Sequence, residues 1–344
     1  MKTQAKVTAK LIAEQLGLSM ATVDRALNNR GNVKEETYQR IMEKARELNY
    51  TPNKLASFLS KKKQYSIAVA FPEYPKYFWE QIEVGISKAF NELSDYGLKV
   101  ETFRISDEDS SDGADLIKEI IDSKKFDALA IADGKSAFLD LIDYGIDQGI
   151  QVCTFNHDSP ASKRLFYVGS DYRSAGRLAA ELLCNFIGRS GKAALITTTE
   201  TTYQAQEKIA GFREVLSEYS NVEMVGPLKM ELHDVHHSLD KLRSSLDDTC
   251  GIYVSNAELS NVAKWLEHSN GKRKVLIGHD MNEEIYKYFE KGFITAAISQ
   301  DPVSQGYLAV KKLFNQLAGE ENMINKEIIT KLEVITKENA KFYL

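Results

Sequence analysis

The chain is poor in cysteine: Cys153, Cys184 and Cys250 are its only three in 344 residues, widely spaced and with no CxxC pair. An odd number of scattered thiols excludes a disulfide framework and suits reduced, structural cysteines in a cytoplasm. No uninterrupted apolar run approaches the roughly 20 residues of a membrane span. Lys2, Lys6 and Lys10 at the N-terminus have no apolar segment behind them, so no secretory signal peptide is expected. The one stretch like a phosphate loop, Gly188-Arg189-Ser190-Gly191-Lys192, precedes a strand instead of following one, and Ala193 stands where Ser or Thr is required. His233-Asp234-x-His236-His237 lies in a polar stretch without a converging fourth ligand, so no metal is expected. No nucleophile–base arrangement stands out, and Lys331–Leu344 carries no heptad repeat that would build a tetramer. An ordinary globular composition remains, with 43% hydrophobic and 27% charged residues, long enough for two or three domains. Neither cofactor, membrane partner nor catalytic centre is expected.

What is present is unevenly distributed. Residues 1–63 hold 13 Lys and Arg against 6 Asp and Glu, net +7; the rest hold 31 against 43, net −12. The overall charge of −5 therefore hides a basic head on an acidic body. A basic domain gains free energy near phosphates, whereas an acidic body does not.

Val7 to Asn29 reads as two short helices meeting at a glycine. Thr8 can cap the first, and Leu11, Ile12 and Leu16 give it an apolar face. Gly17 ends it, because a residue just past a helix often needs positive φ. Ser19 then caps a second helix whose buried stripe is Val23, Ala26 and Leu27. The pattern fits a helix-turn-helix with a DNA-reading second helix, or a plain helical hairpin. A third helix is expected over residues 32–50, with Asn32 as cap, Glu35 three residues on, and Tyr38, Ile41, Met42, Ala45 and Leu48 closing a small core. Then Pro52 to Ser60 reads as a short helix carrying Leu55, Phe58 and Leu59 beside Lys61-Lys62-Lys63. Such a helix is marginal alone. Its apolar groups suit insertion into a DNA minor groove or packing on the next domain.

From Tyr65 the pattern becomes strand, helix, strand. Strands are expected at Ser66–Phe71, Lys99–Phe103, Ala128–Ile131, Gln151–Phe155, Leu165–Val168, Ala193–Thr197, Glu223–Val225, Gly251–Val254, Val275–Ile277 and Ala296–Ser299. Amphipathic helices between them include Phe78–Leu93, Asp115–Asp122, Ser174–Phe186 and Gln206–Glu218. Alternation of this kind implies parallel sheets, and some 280 residues are too many for one, so two similar lobes are expected. Ligands of such sheets bind beyond the carboxyl ends of the strands, which here points into a cleft between lobes.

Several motifs in order resemble LacI/GalR-family transcription regulators: Thr8-x-x-x-Ile12-Ala13, Gly17-x-Ser19-x-x-Thr22-Val23, Arg25-x-Leu27-Asn28, Glu35-Glu36-Thr37, Leu48-Asn49-Tyr50-Thr51-Pro52-Asn53 and Leu55-Ala56-x-x-Leu59. Val168-Gly169-Ser170-Asp171, Gly176-Arg177-Leu178-Ala179-Ala180, Ile209-Ala210-Gly211-Phe212 and Ile277-Gly278-His279-Asp280 look like that family's effector domain, which is similar to periplasmic sugar-binding proteins with two lobes joined by three crossovers. The resemblance implies a helix-turn-helix domain over 1–50, a hinge helix and linker over 51–63, and a two-lobed α/β effector-binding and dimerisation domain over 64–344. It also implies a cytoplasmic homodimer reading a palindromic double-stranded DNA operator. Met20, Ala21 and Arg25 fall on the recognition positions, with Asn28 in the same motif. Arg25 could pair bidentately with guanine, and Met20 and Ala21 could meet a thymine methyl. Ser19 and Thr22 suit phosphates. Leu59 takes the place of the minor-groove leucine. Asp24 departs from the usual serine, and Ser57-Phe58 from the usual arginine-containing hinge.

In the effector domain the resemblance places Phe78, Trp79, Asn156, His157, Lys208, Asn256, Asp280 and Gln300 around the ligand. Aromatic faces cover the C–H side of a sugar ring, and buried polar groups make loss of a hydroxyl costly. Lys208 replaces the family's usual arginine and loses its bidentate fork, which disfavours a carboxylate ligand. The set favours a neutral sugar or polyol: a pentose, hexose or cyclitol. The chain thus reads as a ligand-controlled transcription regulator, a repressor. Its rivals are a sugar-binding protein without gene control and an enzyme of sugar metabolism.

Overall fold

A computed structural model describes residues 8–27, 31–48, 50, 63–106, 110–132, 137–198, 201–269, 273–319 and 326–344. They form two compact units, one of the described residues before Tyr65 with Asp95–Gly97, the other of Tyr65–Ser94 with Leu98–Leu344. The expected hinge helix, with Leu55, Phe58 and Leu59, lies outside the described residues, as does Asn28.

The first unit contains α1 (Ala9–Leu16), α2 (Met20–Leu27) and α3 (Glu35–Glu47). The Thr8 hydroxyl accepts from the Leu11 N–H at 3.2 Å and starts α1. Gly17, at φ 65°, stops it and donates its N–H back to Ala13 and Glu14 carbonyls. The Ser19 hydroxyl accepts from the Thr22 N–H at 3.2 Å and starts α2. Ile12, Ala13, Val23, Ala26, Ile41 and Ala45 make the core, with Leu16, Leu27, Tyr38 and Leu48 packed against it. Two expectations need correction. Leu11 is 36% exposed, and Ala13 takes its place: residues 12, 13 and 16 share one helical face, and position 11 lies outside it. Asn32 does not cap α3. It turns the chain at φ 55°, a conformation asparagine tolerates, and Lys34 is the residue that precedes the helix. Glu35 and Glu36 then sit in the first turn, where their charge favours the helix dipole.

The second unit is two lobes built to one plan. Its strands are β1 (Tyr65–Pro72), β2 (Leu98–Ile105), β3 (Ala128–Ile131), β4 (Gln151–Phe155), β5 (Tyr167–Gly169), β6 (Gly191–Thr197), β7 (Val222–Lys229), β8 (Gly251–Val254), β9 (Val275–His279), β10 (Ala296–Ser299), β11 (Glu327–Ile329) and β12 (Glu333–Ile335). Its helices are α4 (Lys76–Leu93), α5 (Ser110–Asp122), α6 (Ala137–Asp147), α7 (Tyr172–Phe186), α8 (Tyr203–Ser217), α9 (Val235–Asp247), α10 (Leu259–His268), α11 (Glu283–Glu290) and α12 (Pro302–Leu317). The first lobe's sheet runs β11-β5-β4-β3-β1-β2 and the second's β12-β10-β9-β8-β6-β7. All pairs are parallel except β10 with β12. Strands such as Ile67–Phe71 and Gly251–Val254 are buried throughout, as parallel strands covered on both faces must be.

The expected α/β, two-lobed architecture is borne out. Ala128–Ile131, Gln151–Phe155, Gly251–Val254 and Ala296–Ser299 have the bounds read from the sequence. The strand expected at Leu165 starts at Tyr167. Leu165 already donates to Val152 O at 2.9 Å and Phe166 O accepts from Thr154 N at 3.1 Å, but the regular ladder begins later. The pair β11 and β12 was not expected, because three residues carry no readable periodicity.

Three crossovers join the lobes: residues 170–171, 300–301 and 330–332. Helix α7 follows a strand of the first lobe yet packs on α8 of the second, and α12 follows β10 of the second yet packs on α4 of the first. Both helix pairs approach backbone to backbone at glycine. A Cβ on Gly85 or Gly306 would fall on the carbonyl of Val303 or Ile82, and one on Gly176 or Gly211 on that of Lys208 or Arg173. Among the described residues no helix is long and apolar enough to cross a membrane.

Candidate functional site

In the head, the buried side of α2 leaves the opposite side free. Ser19, Met20, Ala21 and Arg25 are exposed, Met20 by 48%, while Val23 and Ala26 face the core. The Arg25 Nε donates to the Ala21 carbonyl at 3.1 Å, which lays the guanidinium along the helix. Ser19 and Thr22 hydroxyls lie 2.9 Å apart at the helix start. Ser19, Met20, Ala21 and Thr22, four of the five described residues expected at DNA, thus cluster at the start of the helix, and Arg25 lies in its last turn.

In the second unit, a cavity of about 770 Å³ opens at the carboxyl ends of both sheets. All eight residues expected around a ligand line it: Phe78, Trp79, Asn156, His157, Lys208, Asn256, Asp280 and Gln300. This volume lies within the range of small-molecule sites.

The first lobe supplies an apolar wall. Trp79 stacks on Phe71 with ring centroids 5.5 Å apart and meets Phe78 and Phe155 edge-on at 5.1 and 6.4 Å. Its indole N–H donates to the Tyr74 carbonyl at 3.0 Å, so the ring is fixed before any ligand arrives. His157 lies edge-on to Trp79 at 6.2 Å.

The second lobe supplies polar groups. Lys208 is 3% exposed and donates to the Ser255 carbonyl at 2.9 Å. Burial pushes its ammonium down to about 8, against the upward pull of Asp280. Asp280 is 8% exposed; burial pushes its carboxyl up to about 6, against the lowering effect of Lys208 and of the Gln300 hydrogen bonds. The Gln300 amide donates to both Asp280 oxygens at 3.1 Å. Among the described residues the buried Gln300 Oε1 and Asn256 Nδ2 atoms have no hydrogen-bond partner, which leaves an acceptor and a donor for an occupant. Behind Asp280, His279 shares a 2.7 Å hydrogen bond with the Tyr253 hydroxyl, and burial holds it neutral. Asn156 and Asp280 adopt φ 54° and 63°, left-handed conformations that turn the chain at their strand ends.

Residues that sequence reasoning missed also line the cavity, among them Tyr74, Thr202, Gln204, Glu258 and Asn261. Tyr74 reaches across from the first lobe and donates its hydroxyl to Glu258 of the second at 2.7 Å; Asn261 donates to the other Glu258 oxygen at 2.6 Å. Gln81 makes a second bridge, to the Met281 carbonyl at 3.3 Å. The available signals were slight: Tyr74 sits in a turn between Pro72 and Pro75, and Glu258 follows Asn256 by two residues. The His233–His237 stretch builds no centre. Asp234 caps α9, and among the described residues no three His, Cys, Asp or Glu side chains converge to hold a metal.

Comparison with known proteins agrees with both units. Residues 8–53 match the model of bacterial regulatory proteins of the lacI family, and residues 67–321 match the periplasmic binding protein domain. The HTH-type transcriptional regulator DegA of Bacillus subtilis is 26% identical over 223 residues, 62% of this chain and 61% of DegA. The ribose operon repressor of the same organism is 27% identical over 253 residues, 72% of each chain. Among solved structures, a solute-binding protein of an ABC transporter from Burkholderia graminis, in complex with D-arabinose, superposes with a TM-score of 0.72 at 25% identity, covering 80% of this chain and 96% of that one. Over residues 67–321 the chain therefore belongs to the periplasmic binding protein domain family, and it carries ahead of that body a head of the lacI-family type.

Proposed function

We propose that the protein is a sequence-specific DNA-binding transcription regulator, a repressor, whose operator affinity is set by a neutral sugar or polyol in the cavity. The observation that carries this reading is the pairing, in one chain, of an exposed helix face at Ser19, Met20, Ala21 and Arg25 with a cavity that has an aromatic wall opposite amide and charged groups. The basic charge of residues 1–63 supports phosphate contact. The relatives support the control: one is named a ribose operon repressor, and a similar structure holds D-arabinose. A ring seated on Trp79 would present hydroxyls to Asp280, Gln300, Asn256 and Lys208. Those hydroxyls both donate and accept, as this mixed set requires. The protein acts in the cytoplasm as a homodimer, two heads reading two half-sites of a palindrome with Leu59 inserted between them. It performs no chemistry on the sugar.

The test has two arms on the full chain. Duplexes selected from a randomised library should yield a palindromic consensus, and Arg25→Ala should abolish selection. A thermal-shift panel of neutral sugars, polyols and sugar acids should give a neutral hit, since a ligand at about 100 times its Kd adds about 2.7 kcal/mol. The same ligand must then change affinity for the selected duplex. A hit that leaves DNA affinity untouched would reduce the protein to a sugar binder, and a hit among acids alone would overturn the neutral assignment.

A further inference from the structure

Gln305, in the first turn of α12, is 0% exposed and does not line the pocket. Its Oε1 accepts from Asn156 Nδ2 at 3.1 Å, and its Nε2 donates to the Gln300 carbonyl at 2.8 Å. One side chain thus grips a cavity residue of the first lobe and a cavity residue on a crossover. Both gripped residues continue outward. The Asn156 carbonyl accepts from the hydroxyls of Tyr167, at 2.9 Å, and Tyr172. The Gln300 carbonyl accepts also from Thr330 Oγ1 at 3.0 Å and Ser170 Oγ at 3.4 Å. Ser170, Gln300 and Thr330 are one residue from each of the three crossovers. All three meet at one oxygen, and all are buried.

We propose that Gln305 is the positioning residue of the cleft, fixing Asn156 against Gln300 so that the geometry seen by the occupant and that of all three crossovers are set together. This rests on the reading of the cavity as the effector site. The chemistry requires a neutral group with one donor and one acceptor at a fully buried point, which an amide provides. An ionised carboxylate cannot donate to Gln300, and an ammonium cannot accept from Asn156. An apolar side chain leaves Asn156 Nδ2 buried and unpaired, and that residue then turns toward another partner. Because Gln300 also holds both Asp280 oxygens, any shift of its carbonyl moves the carboxylate that faces the occupant.

The test compares wild type with Gln305→Met, close in shape but without the two bonds, and Gln305→Glu, which regains both when protonated. The readout is residue-resolved hydrogen exchange on the free protein. Gln305→Met should raise exchange roughly tenfold at Asn156, Asp280 and Thr330, whose N–H groups bond Val168, Ile298 and Gly169, and leave Ala194 and Tyr253 in the second lobe's sheet unchanged. Measured against wild type at the same pH, Gln305→Glu should return to the wild-type pattern as pH falls toward about 5. Calorimetry with D-arabinose should show roughly tenfold weaker binding for Gln305→Met. Unchanged exchange at the crossovers, or a uniform rise across both sheets, would overturn the proposal. Failure of D-arabinose to bind wild type would count against that sugar as effector and leave the exchange result to decide the role of Gln305.

Discussion

The two lobes share a scaffold and differ in what they show to the cavity. Each has a six-stranded sheet with the same strand order, and each packs its first helix on a crossover helix through paired glycines. Yet the turn after the first strand of one lobe delivers Tyr74, and the start of α4 delivers Phe78 and Trp79, while the second lobe delivers Lys208, Asn256, Glu258 and Asp280. The scaffold sets where side chains arrive, and the residue types at those places set the chemistry. The apolar side belongs to the core of its lobe, since Trp79 is 1% exposed and packed on Phe71 and Phe155. The polar side is held in place by hydrogen bonds and works against folding, because burial disfavours the charged forms of Lys208 and Asp280 by more than their mutual attraction favours them.

Trp79→Ala separates these descriptions most strongly. Removing a buried indole at the centre of an aromatic cluster should cost roughly 3–5 kcal/mol of stability, with ligand affinity lost alongside. Denaturant titration reads the first and calorimetry the second. A loss below roughly 1 kcal/mol would mean that the wall is cavity lining only and not core.

Asp280→Asn should act with opposite sign. The Asp280 carboxyl, raised from 3.8 to about 6, is harder to ionise in the folded state, so its favourable contribution is complete below the unfolded value and lost as pH rises to about 6. At pH 7 the variant escapes that loss and should be more stable by up to roughly 3 kcal/mol, while binding its sugar far more weakly. Lys208 mirrors this: lowered from 10.5 to about 8, it restores stability as pH rises from about 8 toward 10.5. Sugar affinity of the wild type should therefore be greatest between about 6 and about 8, where carboxylate and ammonium coexist. A pH-independent affinity would remove both charges from the site.

The shared scaffold is tested by glycine. Gly85→Ala and Gly211→Ala each drive a methyl into a backbone carbonyl of the neighbouring helix, and each should cost roughly 1–3 kcal/mol, by nearly equal amounts in the two lobes. Thermal unfolding of the pair of variants checks it. Tolerance in one lobe alone would show that the lobes are alike in outline and not in packing.

Much of this was legible in the residues. Buried parallel strands are continuous apolar runs, so Ala128–Ile131 and Gly251–Val254 could be read directly, and the family resemblance pointed to Asn156, Asn256, Asp280 and Gln300, which lie past strand ends as ligand-binding residues of such sheets do. What could not be read depends on distance along the chain. Gln305 looks like any polar residue of an amphipathic helix, and its partner Asn156 lies 149 positions away. Tyr74 and Glu258 are 184 apart, and neither carries a local sign that it will meet the other. Helix starts were less readable than helix faces, because a single left-handed residue such as Asn32 delays a cap by two positions.

The smallest effect is expected where the two kinds of wall touch. Tyr74 is half exposed, and its hydroxyl donates from the aromatic lobe to the Glu258 carboxylate. Tyr74→Phe keeps the ring and the backbone carbonyl that holds Trp79, and removes only that bond. With water able to reach the rim and Asn261 still bonded to Glu258, the cost should be roughly 1 kcal/mol. A double-mutant cycle with Glu258→Gln isolates the term, and small-angle scattering shows whether the lobes part. If the cycle gives a coupling near zero while ligand release quickens, the ring of Tyr74 closes the cavity by contact, and the bond to Glu258 is not what joins the aromatic lobe to the other.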